Sequence, residues 1–299
     1  MTLVRQMVRR KAIFAPAFSI AAAAYCGASL FLARAFTDLR QSPSRSFDWT
    51  PADVGLAFEE VTFAAAEDAL MISGWYVPGN SGKALAMIPG GGLNRLNTVR
   101  RRIDASSPPP RLLLTRDLAQ SCHAILMYDP RGTGRSGASR ASYGYFEQRD
   151  VVGALRFLER NGYDAGRVAI LGSSMGGAAA MFALAHAKYG LLVADSALGG
   201  FSARDIAVYA SCALRLPRFV ANAVTAVMLK GTFTTARLLW GMDLSKQASD
   251  VLGEHAVPTL VIHGDRDRQV PAANADRIAS AAGKALIGKH IRSCDHMEA

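Results

Sequence analysis

Arg167-Val168-Ala169-Ile170-Leu171-Gly172-Ser173-Ser174-Met175-Gly176-Gly177 is the stretch that decides the fold of this chain. Residues 168–171 are a short aliphatic run of the kind that forms a buried strand. The next five residues fit G-x-S-x-G, and an Ala-rich helical stretch follows to about His186. A serine hydroxyl is a weak nucleophile until a sharp strand–turn–helix junction isolates it and a base takes its proton. Glycines on either side relieve crowding there, and the helix N-terminus favours developing negative charge. The alternative is an ordinary Gly/Ser-rich turn between a strand and a helix.

Outward from this turn, the pattern alternates. Strands are expected at 58–63, 70–77, 83–88, 123–128, 191–195, 259–263 and 285–291, with helices near 112–121, 148–161 and 273–282. Val151, Val152, Leu155 and Leu158 recur at helical spacing. Strands separated by helices imply an α/β protein with a mainly parallel sheet covered on both faces. The first strands form an antiparallel start. Residues 199–254 turn helical and apolar and are expected to form a small helical cap.

Residues 56–296 resemble the α/β-hydrolase superfamily, in its serine esterase/lipase-like or prolyl-oligopeptidase-like branch. The resemblance rests on the serine turn and on two later segments. His263-Gly264-Asp265-Arg266-Asp267-Arg268-Gln269-Val270-Pro271 is similar to the H-G-x-x-D-x-x-V-P acid loop, and Ser293-Cys294-Asp295-His296 stands where the family has its histidine. It implies a triad of Ser174, Asp267 and His296 in the chain order Ser…Asp…His. Asp195, also at a strand end, is the alternative acid. Oxyanion donors would be the backbone N–H of Met175 and that of Gly91 or Gly92, in a loop that carries Pro89-Gly90 where relatives have His-Gly. Asp129-Pro130-Arg131-Gly132-Thr133-Gly134-Arg135-Ser136 resembles the D-x-R-G-x-G-x-S loop and reads as an architectural brace. No cofactor or metal is implied. The chain ends three residues after His296, where family members usually add a closing helix, so a less braced base is expected.

The resemblance implies a serine hydrolase (EC 3.1) acting on a small-molecule ester, thioester or other acyl substrate. Two alternatives stand beside it: a serine peptidase of prolyl-oligopeptidase type, and a non-catalytic binding protein that retains the fold. G-S-S-M-G-G lacks the aromatic residue that often follows the serine in those peptidases. The cap carries Phe219, Val220, Val224, Val227, Met228, Leu229, Leu238, Leu239 and Trp240. These either accept a lipid-like acyl group or pack the cap.

Composition sets the remaining bounds. The chain has 299 residues, 50% of them hydrophobic, and a net charge of +10. The segment from Ala12 to Leu32 contains no charged residue and follows Arg5, Arg9, Arg10 and Lys11. Its 21 residues are long enough for a transmembrane helix across roughly 30 Å of hydrocarbon. Residues 1–35 are therefore expected to be a single-pass membrane anchor, with a cleavable signal peptide as the rival. Residues 36–55 read as a linker and 56–299 as the hydrolase domain. Basic residues before the apolar run put the domain on the extracytoplasmic side. No nucleic-acid motif is present, so no nucleic-acid partner is expected. Cys26 lies in the apolar segment, and Cys122, Cys212 and Cys294 show no metal spacing and read as free, buried thiols. Oligomeric state is left open.

Overall fold

In the computed structural model the described residues are 2–38, 47–97, 107–121, 123–203 and 217–297, with side chains described from Ser19 on, Ile20 and Arg218 excepted. They divide into two compact units, Met1–Thr37 with Ser202–Asp243, and Asp38–Phe201 with Leu244–Ala299.

The larger unit is an eight-stranded sheet. Its strands are β1 (Glu59–Ala64), β2 (Met71–Val77), β3 (Ala84–Ile88), β4 (Ala124–Tyr128), β5 (Val168–Ser173), β6 (Leu191–Asp195), β7 (Thr259–Gly264) and β8 (Leu286–Arg292). They lie in the order β1-β2-β4-β3-β5-β6-β7-β8. β1 and β2 are antiparallel to their neighbours, and every later pairing is parallel. β3 and β4 are buried along their whole length, which is why Ala84–Ile88 and Ala124–Tyr128 read as unbroken apolar runs rather than alternations.

Helices cover both faces. On one side lie α3 (Gln148–Arg160), α4 (Met175–Ala183), α6 (Ala248–Gly253) and α7 (Ala273–Ala282), numbered after α1 (Thr2–Thr37), α2 (Pro110–Ala119) and α5 (Arg218–Trp240). The buried face of α3 is Val151, Val152, Leu155 and Leu158, the stripe that its spacing implies. On the other side Leu112 of α2 joins Trp75, Leu85, Met87, Ile125 and Met127. Phe47, Trp49 and Val54, from the stretch expected as a linker, pack on that cluster with Leu56. Beyond α2 the same side opens into an apolar trough of about 560 Å³, floored by Leu85, Ala169, Leu171, Val193 and Ile262.

The smaller unit holds α1 and α5. The apolar segment 12–32 is helical, as its composition implies. The expectation of a transmembrane helix gains no support, because no helix among the described residues is long and apolar enough to cross a membrane. Arg34 lies in the last turn of α1. Residues 204–216 of the expected cap also lie outside the described residues, as do Cys122 and Cys212. Cys26 is exposed, and Cys294 is half-buried rather than the buried thiol expected.

Candidate active site

β5 ends at Ser173 and α4 begins at Met175, leaving Ser174 alone at the junction with φ 51° and ψ −115°. A positive φ is rare for a residue with a Cβ and marks stored strain. The surroundings over-determine it. A Cβ on Gly172 would lie 2.7 Å from Gly176 O, and one on Gly176 would lie 2.6 Å from Pro89 O. Only glycine allows α4 to start this close to β3 and β5. Met175 is the first residue of α4, so its N–H has no carbonyl partner within the helix.

The two loops after β7 and β8 meet beside this turn. His296 Nδ1 lies 2.6 Å from Asp267 Oδ2, both side chains almost fully buried. The other Asp267 oxygen accepts the N–H groups of Gln269 and Val270, each at 2.8 Å. Nδ1 is therefore the protonated nitrogen, donating to the carboxylate. Burial opposes ionisation of Asp267, but donors from His263, His296 and Val270 outweigh it and hold the carboxyl well below its usual range. Ser174 and His296 line one cavity of about 290 Å³ together with Gly90, Gly91, Leu93, Tyr143, Met175, Leu198, Phe201 and Val270.

Asp195, the alternative acid, is engaged elsewhere. In the register of β5 and β6 it stands opposite Ser173, whose hydroxyl donates to it at 2.9 Å. Arg111 of α2 donates to the same hydroxyl at 2.8 Å. Burial lowers the Arg111 pKa to about 10, and the Asp195 charge opposes that fall. The expected oxyanion loop approaches the serine through Gly90, where a Cβ would be 3.5 Å from Ser174 Cβ. The Gly90 N–H is spent on Asn97 Oδ1 at 2.7 Å. Gly91 and Met175 line the cavity, and Gly92 is not among its lining residues.

His263 is a member of this corner that its place beside a strand did not mark as functional. Its Nε2 lies 2.9 Å from Val270 O and 3.4 Å from Asp267 Oδ2, and its side chain is fully buried. Both neighbours are acceptors, so Nε2 carries the proton. Burial alone would drive a proton off this ring; the bonds to Asp267 and Val270, with the charges of Asp267 and Asp195, raise its pKa above the usual value. The signal was available as the first letter of H-G-x-x-D. Tyr143 and Phe201 were not legible as cavity residues; their rings meet edge to face at 5.0 Å. Tyr143 is presented at φ 54° by a turn that the buried Glu147 braces through Ser142 and Gly144.

A buried ionic cluster follows β4 at the same end of the sheet. Asp129 accepts from Arg95 N, Nε and Nη2 and from Arg135 N, all within 3.1 Å. Gly134, at φ +49°, packs so tightly on this carboxylate that a Cβ would be 2.2 Å from it. Arg131 donates to Asp150 and Asp68. The D-x-R-G-x-G-x-S loop is thus a brace, as its resemblance implied. Among the described residues no group of three or more His, Cys, Asp or Glu side chains is placed to hold a metal ion.

A strained serine after the fifth strand, in a mainly parallel sheet with an aspartate–histidine pair at its carboxyl end, defines an alpha/beta hydrolase fold. A sequence model of the alpha/beta hydrolase family matches residues 85–298, and the chain belongs to that family. It is similar to an esterase of Pyrococcus furiosus, at 19% identity and a TM-score of 0.63 over 86% of this chain and 89% of the other. It is also similar to an acylaminoacyl peptidase of Pyrococcus horikoshii, at 14% identity and a TM-score of 0.51 over 81% of this chain and 37% of that one. These likenesses show the fold. The uncharacterized Bacillus subtilis protein YqkD is 28% identical over 159 residues, 52% of this chain; the match spans about half of that relative, 49%.

Proposed function

We propose that this protein is a membrane-attached serine hydrolase that cleaves carboxylic ester or thioester bonds through an acyl-enzyme on Ser174. The 2.6 Å contact between His296 and Asp267, on a histidine that shares a cavity with the strained Ser174, carries this proposal. With Nδ1 protonated and held by Asp267, the Nε2 lone pair of His296 is left to take the Ser174 proton as Oγ attacks the acyl carbonyl. The N–H groups of Met175 and Gly91 receive the developing oxyanion, each worth about 3 kcal/mol in the transition state. His296 then returns the proton to the leaving group, and the same base activates water to release the acyl group.

Tyr143, Leu198, Phe201 and Val270 give the cavity an apolar lining suited to an acyl group. Burial raises the Tyr143 pKa, so the ring is present as a neutral phenol. The similarity to an acylaminoacyl peptidase supports a second reading, cleavage of amides, and a paired panel of esters and peptide amides separates the two. Attachment is supported by the uncharged run 12–32 and the basic residues before it, with the catalytic domain extracytoplasmic. A fluorophosphonate probe tests the chemistry. Labelling of the wild type and none of Ser174→Ala is expected; absence of labelling in folded wild-type protein leaves only the non-catalytic alternative.

A further inference from the structure

The unit of α1 and α5 is built the wrong way round for water. Where the helices meet, the buried residues are small or hydroxylated: Ser29, Ala33 and Thr37 on α1, with Ala221, Thr225 and Thr232 on α5. Gly231 marks the closest approach, where a Cβ would stand 2.2 Å from Ser29 Oγ. Tyr25 Oη donates across the pair to Val227 O at 3.0 Å. One aromatic pair, Phe36 with Phe233 at 6.3 Å between ring centroids, joins them there, but most of the large apolar side chains point outward. Phe31 is 70% exposed, Phe219 76% and Leu238 79%, and Val224, Val227 and Leu239 are exposed with them. The segment 21–28 is exposed at every position of two helical turns and contains no charge.

In water the opposite distribution is stable, because large apolar groups are driven inside and an apolar helix surface is covered. In lipid this distribution is the expected one. Association there depends on close backbone approach at small residues, while bulky apolar groups face acyl chains. α5 also carries Lys230 and Arg237, both exposed, and α1 carries Arg34. Such side chains reach from an apolar stem to head groups. With these charges α5 fits the plane of the interface rather than a span. A second copy of the chain is a poorer occupant, since it would bring these cations together, whereas anionic head groups complement them.

We propose that the outer face of α5 docks into a lipid bilayer beside α1, so that the two helices form one membrane-bound element. This goes beyond attachment by α1 alone, on which it rests only for delivery of the chain to the membrane, and it does not depend on hydrolysis.

The test uses the full chain with vesicles of equal parts phosphatidylcholine and phosphatidylglycerol, the phosphatidylcholine brominated or not. Trp240 ends α5, whereas Trp75 is fully buried in the sheet domain and Trp49 is half-buried against the same cluster, so the signal is read as the difference from Trp240→Phe. Bromine quenching is expected in the wild type. The Trp240 contribution should be lost in Trp240→Phe and fall by most of its amplitude in Leu238→Glu/Leu239→Glu, with circular dichroism unchanged. Trp240→Phe removes only the reporter, so the result stands even if the double variant does not fold. Co-flotation without Trp240 quenching overturns the proposal while leaving attachment by α1 intact. Failure to float overturns both. Equal quenching in a folded double variant also overturns it. So does a lipid-free dimer that shields Trp240 from acrylamide and stays dimeric on vesicles.

Discussion

Two buried ionic clusters lie at the carboxyl end of the same sheet, and they are finished differently. In the cluster after β4, Arg131 Nε and Nη2 meet Asp150 at 2.9 and 2.7 Å, its own N–H meets the second Asp150 oxygen, and Nη1 reaches Asp68. Each charge is closed by its partners. In the catalytic corner Asp267 is equally saturated, by His263, His296 and two backbone N–H groups. The chain of bonds stops at His296, whose other nitrogen has no protein partner among the described residues. Closed buried charge holds shape, because any broken bond leaves an uncompensated ion. Charge closed on one side and left open on the other can exchange a proton with a substrate. The difference separates a brace from a reactive site.

Substitutions at four residues probe that difference. Ser174→Ala should lower kcat/KM on a short-chain ester by roughly 10⁵-fold or more, with little change in thermal midpoint; comparable activity in this variant would remove Ser174 from the chemistry. Asp267→Asn should lower kcat by about 10³- to 10⁴-fold, because the imidazole loses its preferred tautomer. That variant also carries a pH signature. The folded Asp267 carboxyl lies below its usual range, so its contribution to stability is complete above about pH 4 and is lost as pH falls through the folded value. The gap in thermal midpoint between wild type and Asp267→Asn should therefore close in acid; a gap that widens there would contradict the assignment.

Arg131→Met should reverse the balance of effects. Leaving Asp150 buried without its partner costs about 3–5 kcal/mol, measured by urea unfolding, while the folded fraction keeps most of its turnover. A catalytic loss without a stability loss would place Arg131 in the chemistry. The smallest effect is expected at His263. His263→Leu removes one donor from Asp267 and loosens the carboxylate that holds His296, so kcat should fall several-fold with KM little changed. His263→Gln, which restores an N–H near Nε2, should recover most of that loss. If both variants simply unfold at lower temperature with kcat unmoved, His263 is packing alone.

The apolar runs that became β3, β4 and β5, the face of α3, and the strand–turn–helix at Ser174 were legible because each is a local pattern: burial on both sides of a strand, 3.6-residue spacing, glycine at a cramped turn. Asp267 and His296 were legible through short motifs beside strands. The H-G-x-x-D match favoured Asp267 over Asp195, although both carboxylates end neighbouring parallel strands; register sets Asp195 against Ser173 and leaves Asp267 for the histidine loop. Tyr143, Leu198 and Phe201, brought to Ser174 from separate connections, were not legible. In the smaller unit, the apolar character of α1 was evident, but the inverted sides of α1 and α5 were not.

By itself the sequence determined the elements and the parallel α/β class, and it nominated Ser174, Asp267 and His296 as site residues, because those readings depend on neighbours in the chain. Only the tertiary structure decided which carboxylate the histidine meets, that His263 shares it, and that the Arg131 loop is closed upon itself. Those are matters of distance between segments far apart in sequence, settled by strand register and by the cost of leaving a buried charge without a partner.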